Sequence, residues 1–316
     1  MEETSLRTIL LTSLAPIAWG STYLVTEELL PADRPLFSAL VRALPAGLLL
    51  LAFRRRLPRG DWWWKAVVLG VCNIGLFFPL IFLAAYHLPG GLAATLQASS
   101  PLAVMALAAG MIHERPGVLR VGAAAVGILG VALLVLQSPG RVDTLGLVGA
   151  FGSVLVSALG FVLVKRWRAP VDMLTLVSWQ LVVGGLVLLP VALLVEGRPP
   201  AIDVPALGGY LWLGLVGTAL AYVCWFNGLS RMPAGAASLI GLVNPVVGTL
   251  LGVLVAGEIF GWIQALGMAL VLGGVLAGQA RGARVSARFG AVAARLRLSS
   301  APVCSWAPAG SPLSRS

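Results

Sequence analysis

Residues 89–104, PGGLAATLQASSPLAV, and residues 233–248, PAGAASLIGLVNPVVG, are one segment written twice, 144 residues apart. The match runs on without a gap to residues 134 and 278. It pairs Pro89 with Pro233, Gly91 with Gly235, Ala93 with Ala237 and Pro101 with Pro245. It also pairs Leu107 with Leu251, Glu114 with Glu258, Gly117 with Gly261 and Gly130 with Gly274. A fixed period implies a chain made of two copies of one structural unit.

Composition says where that unit sits. Hydrophobic residues make up 59% of the chain and charged residues 11%, with a mean hydropathy of +0.94. A soluble domain carries roughly 25% charged residues, so this is an integral membrane protein. The net charge of +10 lies in short loops and a tail rather than on one folded face. It therefore serves to orient helices in a bilayer, and nucleic acid is not an expected partner.

Ten stretches are apolar and long enough to cross a bilayer as helix. They cover roughly residues 8–26, 35–53, 63–85, 91–112, 119–137, 144–164, 173–194, 206–228, 234–256 and 260–280. The first is read as a retained helix, because the N-terminus shows no signal-peptide cleavage pattern. Lysine and arginine in alternate loops divide 18 to 3, a bias that places both termini in the cytoplasm.

Each half then holds five helices, an odd number, so the second copy enters the membrane inverted. The expected fold is all-α, with ten transmembrane helices in two inverted five-helix repeats, residues 1–138 and 139–280. Such repeats are typical of secondary transporters that expose a central site to each side in turn. Residues 281–316 form a basic tail. Arg281, Arg284, Arg288 and Arg295 share one helical face, which suits either a lipid-surface helix or a loose cytoplasmic segment.

Short motifs add a resemblance. Trp19-Gly20-Ser21-Thr22, Arg42, Pro101 and Glu114-Arg115, echoed by Asn244-Pro245 and Gly257-Glu258, resemble the EamA family of the drug/metabolite transporter superfamily. The resemblance covers residues 8–280. It implies the ten-helix inverted-repeat fold and the export of small metabolites or drugs from the cell membrane.

Polar groups at membrane depth are costly and tend to mark function. The candidate substrate-binding residues are Trp19, Tyr23, Asn73, Gln97, Tyr222, Trp225 and Asn244. Near Pro16, Trp19 and Tyr23 line a flexible cavity wall or, alternatively, anchor and pack the first span. Pro101 and Pro245 lie deep in their spans and free carbonyls about one turn back, near Gln97 and Gly241. Those carbonyls and amides suit a polar substrate at the seam between repeats, or interhelical hydrogen bonds.

A second set is read as gating or structural: Gly20, Arg42, Pro101, Pro245, Glu114 and Glu258. Arg42 is expected to snorkel to the outer surface or pair with Glu27, Glu28 or Asp33. Glu114 and Glu258 belong to opposite surfaces about 30 Å apart, and each complements the dipole of the helix that follows it. Gly149, Ser153 and Ser157, then Gly248 and Gly252, then Gly274 and Gly278, form small-residue stripes for close packing.

Three cysteines and two histidines form no metal-ligand spacing. No cofactor is called for, and the chain is not expected to be an enzyme. The expected partners are a small-molecule substrate and the lipid bilayer, with the chain a monomer or homodimer. No carboxylate lies mid-span, which favours a facilitator or exchanger over an obligate proton antiporter. Aromatic and amide groups suit neutral, zwitterionic or aromatic substrates. A drug-efflux proton antiporter and a non-transporting scaffold are the alternatives.

Overall fold

The computed structural model describes residues 6–31, 34–87, 96–135, 143–255 and 261–279, which form helices joined by short turns, with no strand among them. Aspartates open three helices by accepting backbone N–H bonds that the first turn leaves unpaired. Asp143 caps α7, Asp172 caps α8 and Asp203 caps α9, through the amides of Leu145, Thr175 and Ala206. Pro35 occupies the first position of α2, where a missing N–H costs nothing.

In chain order the helices are α1 (Leu6–Leu29), α2 (Pro35–Arg54), α3 (Trp62–Gly70), α4 (Phe77–His87), α5 (Ser100–Ile112) and α6 (Val118–Val135). There follow α7 (Thr144–Trp167), α8 (Met173–Val195), α9 (Val204–Leu211), α10 (Ala221–Arg231), α11 (Ala234–Ile240) and α12 (Val243–Leu254). The last is α13 (Trp262–Gln279). A wide, π-type stretch, Val71–Gly75, joins α3 to α4, and another, Trp212–Leu220, joins α9 to α10.

Eight of these helical runs are long and apolar enough to span a bilayer, and two shorter apolar helices, Ser100–Ile112 and Val118–Leu133, stand where the fourth and fifth spans were expected. This is a multi-pass membrane protein. The tail beyond residue 279 and Glu258 lie outside the described residues, as does the side chain of Tyr23.

Glycines set the closest helix crossings. A Cβ on Gly47 of α2 would lie 2.7 Å from the Val182 amide nitrogen of α8, and one on Gly185 of α8 would lie 2.9 Å from the Leu44 Cα of α2. The contact is reciprocal: residues 44 and 47 exchange roles with 182 and 185. The crossing of α6 with α13 repeats the device. A Cβ on Gly130 would lie 2.7 Å from the Gly267 carbonyl oxygen and 2.8 Å from the Val271 nitrogen, and one on Gly274 would lie 2.8 Å from the Ala123 carbonyl oxygen and 3.3 Å from the Gly127 nitrogen. Here the exchanged positions differ by the same 144 residues as the opening repeat. Gly149 of the first small-residue stripe likewise sits against the α4 backbone, where a Cβ on it would lie 2.7 Å from Leu80 O.

Charged groups tie helix ends together. Arg54, ending α2, pairs with Asp172, opening α8. At the other end of the same helix pair, the Glu196 carboxylate accepts the Leu36 and Phe37 amides at 2.6 and 2.8 Å. His87 and Asp143 meet at 2.6 Å between α4 and α7.

Candidate substrate site

The two wide stretches occupy matched positions and carry the site. In the first, Leu76 donates its N–H to the Val71 carbonyl five residues back, at 2.8 Å. Such widening takes carbonyls out of the ordinary ladder and offers them to side chains. Asn73 O accepts from the Tyr222 hydroxyl at 3.2 Å. Its counterpart 144 residues on, Gly217 O, accepts from Trp19 Nε1 at 3.0 Å and Arg42 Nη2 at 3.1 Å.

Helices α2 and α8 each send one polar side chain to the wide stretch of the other half. Arg42 donates Nε to Thr218 Oγ1 at 2.9 Å, and Asn73 Nδ2 donates to Gln180 Oε1 at 2.7 Å. Asn73 and Gln180 are each 1% exposed and Arg42 is 8% exposed. The Arg42 guanidinium also lies 5.2 Å from the centre of the Phe78 ring.

Aromatic rings close the remaining sides. Trp19 stands 5.6 Å from Tyr222, edge-on, and 5.3 Å from Trp225. Phe161 backs Trp225 at 5.4 Å. Among the described residues three buried side-chain polar atoms make no hydrogen bond: Thr22 Oγ1, Asn73 Oδ1 and Trp225 Nε1. Each is costly unless a ligand or water satisfies it.

Trp19, Asn73, Tyr222 and Trp225 are thus brought together, with Arg42 among them. Arg42 does not snorkel, and it pairs with no carboxylate among the described residues, which leave out Asp33 and the side chain of Glu27. It points into the bundle, because α2 is flanked by α8 and the Trp212–Leu220 stretch, whose carbonyl and hydroxyl offer acceptors there. Gln180 and Thr218 were not among the candidates. Gln180 follows Arg42 by 138 residues, as Gly185 follows Gly47, and Thr218 follows Gly214, which matches Gly70 144 residues earlier; these spacings are the sequence signal for the two.

Gln97 and Asn244 make no hydrogen bond to this cluster. Gln97 Nε2 donates to Ser153 Oγ on α7 at 2.5 Å. Asn244 stands at the α1 contact, where a Cβ on Gly20 would meet Asn244 O at 3.0 Å and Val247 Cβ at 2.6 Å. The helices do break ahead of Pro101 and Pro245, at Ala98–Ser99 and Gly241–Leu242. The Gly241 carbonyl, deprived of a partner by Pro245, is taken by the Asn244 amide at 3.1 Å. The turn therefore tightens and satisfies it locally.

Glu114 does serve a helix start, but not that of the helix after it. Its Oε2 accepts the Ala234 amide at 2.8 Å, opening α11 in the other half, and its Oε1 pairs with Lys165 at 2.5 Å. Lys165 also donates to Met232 O at 2.6 Å. One carboxylate so fastens the end of α5 to α11 and α7.

The model of the EamA-like transporter family matches the chain twice, over residues 6–136 and 144–277. The chain belongs to that family. Among its relatives, protein PecM of Dickeya dadantii (strain 3937) is 39% identical over 264 residues, covering 83% of this chain and 89% of PecM. The inner membrane transporter YedA of Escherichia coli (strain K12) is 27% identical over 270 residues, covering 81% of this chain and 85% of YedA. A solved crystal structure with 20% identity superposes with a TM-score of 0.73, covering 86% of this chain and 98% of that one. That likeness concerns the fold. As an EamA-like protein, the chain is a membrane transporter.

Proposed function

We propose that this EamA-like chain is a secondary transporter exporting small neutral or zwitterionic metabolites, amino-acid-like or aromatic, by alternating access. It works through two inverted five-helix halves, residues 1–138 and 139–280, ten spans in all, with both termini in the cytoplasm. The double match of the family model supports two halves. The reciprocal crossings of α2 with α8 and of α6 with α13 support their inversion, since exchanged contacts arise where a two-fold axis relates the copies.

The observation that carries the reading is the buried cluster on the two matched wide stretches. Trp19, Tyr222 and Trp225 supply apolar walls, and Asn73 supplies an unsatisfied amide oxygen. A few fixed polar groups in an aromatic surround suit a small organic molecule. No carboxylate bonds to the cluster among the described residues, which favours movement down the substrate gradient over proton coupling.

The test is flux. Cells over- and under-expressing the chain are profiled for exported metabolites, and the compounds that differ are measured in proteoliposomes. Trp225→Ala and Asn73→Ala are expected to abolish flux while the purified protein keeps its helical content. Flux that survives both variants, or uphill movement driven by acid alone, overturns the reading.

A further inference from the structure

Arg42 is the one charge in the cluster, and its hydrogen-bond partners are neutral. Thr218 Oγ1 takes Nε and Gly217 O takes Nη2, so of five guanidinium N–H groups three make no hydrogen bond among the described residues. A guanidinium withdrawn from water without an anion is expensive, and the Phe78 ring returns only part of that cost.

A structural purpose does not account for the charge. In the other half, Gln180 stands at the matching place on α8 and reaches the matching wide stretch through Asn73. A neutral amide performs the same bridging task there. What Arg42 adds is a fork of donors whose geometry fits a carboxylate.

Two of the three orphaned atoms share that neighbourhood. A Cβ on Gly217 would stand 3.7 Å from Arg42 Nη2 and 4.0 Å from Thr22 Oγ1. Trp225, with its free Nε1, packs on Trp19, which shares the Gly217 carbonyl with Arg42. Asn73 Oδ1 instead faces α7, where it stands against Gly160.

We propose that Arg42 anchors a carboxylate of the transported compound, which replaces the neutral or zwitterionic class above with carboxylate-bearing substrates, zwitterions and small organic acids. This rests on the cluster being the substrate site. A lone cation matches one negative charge. A phosphate dianion calls for more.

The full chain in detergent is titrated with phenylacetate and phenylalanine, with phenylacetamide and phenylalaninamide, and with inorganic phosphate. Melting temperature and tryptophan fluorescence are followed. The two acids are expected to stabilise the protein and to half-saturate roughly tenfold or more below their amides, the size of a charge-assisted bond. Arg42→Gln abolishes that preference. Arg42→Lys, which keeps the charge but loses the fork, weakens the acids and leaves the amides unchanged.

The inference is overturned if the amides match the acids, if neither acid binds, if phosphate does as well as the acids, or if either variant keeps the full preference. Should Arg42→Gln fail to fold, the acid-against-amide comparison in the wild-type and Arg42→Lys chains decides. Flux of some compound without an advantage for acids sinks the carboxylate anchor alone. Absence of any flux sinks the transport reading.

Discussion

Replacing Gly47 with alanine tests the α2–α8 crossing. The new Cβ would stand 2.7 Å from Val182 N and 2.8 Å from Leu181 Cβ, about 0.7 Å inside the 3.4 Å at which ordinary contact begins. Backbone does not fold aside as a side chain does, so α8 must withdraw. Overpacking of this kind costs about 1–3 kcal/mol. Helix α8 also carries Gln180, and a shift of 0.7 Å would use up nearly all the slack in its 2.7 Å bond from Asn73.

Gly110→Ala in α5 is the control. Nothing lies within 4 Å of its Cβ, so it should raise stability by about 0.5–1 kcal/mol through helix propensity. Thermal melting of the purified proteins should rank Gly110→Ala above wild type and Gly47→Ala below it. Gly185→Ala presses on the same crossing, so the double variant with Gly47→Ala should cost less than the two singles summed. A Gly47→Ala protein that melts with wild type refutes the argument, as does full additivity.

Further outcomes follow from named contacts. Glu114→Gln leaves Lys165 without its anion, and should cost about 1–3 kcal/mol, read as lowered melting and faster proteolysis near residues 232–234. Asn73→Ala and Gln180→Ala should show a coupling energy of about 0.5–3 kcal/mol in a double-mutant cycle, against zero if their bond is absent in solution. Desolvation pushes the Asp172 carboxyl up, but the Thr175 hydroxyl, Arg54 and the Thr175 amide outweigh it and hold the group below its ordinary value. Its contribution is therefore present above the unfolded carboxylate range and lost as pH falls through the lowered folded value. Asp172→Asn should remove that acid-side dependence, and an unchanged acid-melting profile would count against the pairing with Arg54.

The membrane class, the helices and the family were legible because hydropathy and spacing report them directly. Pro101 and Pro245 announced the breaks in their helices, since proline removes a donor wherever it falls. Trp19, Asn73, Tyr222 and Trp225 stood out as polar or aromatic groups in apolar runs. The wide stretches were not legible. A change from four to five residues in a hydrogen-bond ring leaves no hydrophobic trace in a segment apolar on every side. Arg42 was misplaced for the same reason: in such a helix nothing in the residue pattern says which face turns inward. Gln97 and Asn244 sit beside the prolines as expected, but their neighbours Ser153 and Gly20 belong to distant parts of the chain. Only tertiary packing joins them.

The wide stretches have a consequence for chain length. Each lies upstream of residues that must face the interior: Val71–Gly75 before Phe78, and Trp212–Leu220 before Tyr222 and Trp225. A wide turn holds one more residue than a regular one over nearly the same rotation, so deleting one residue within Val71–Gly75 would let the regular ladder re-form with the helix downstream nearly in phase. Deleting one residue from the regular helix beside either stretch would instead turn all that follows by about 100° and draw it in by about 1.5 Å. Phe78 would then swing off the guanidinium it faces at 5.2 Å, and the two rings beside Trp19 would turn toward lipid. The wide stretches can thus absorb a change of one residue, while the spacing of the regular helix around them is fixed even where its side chains are free to vary.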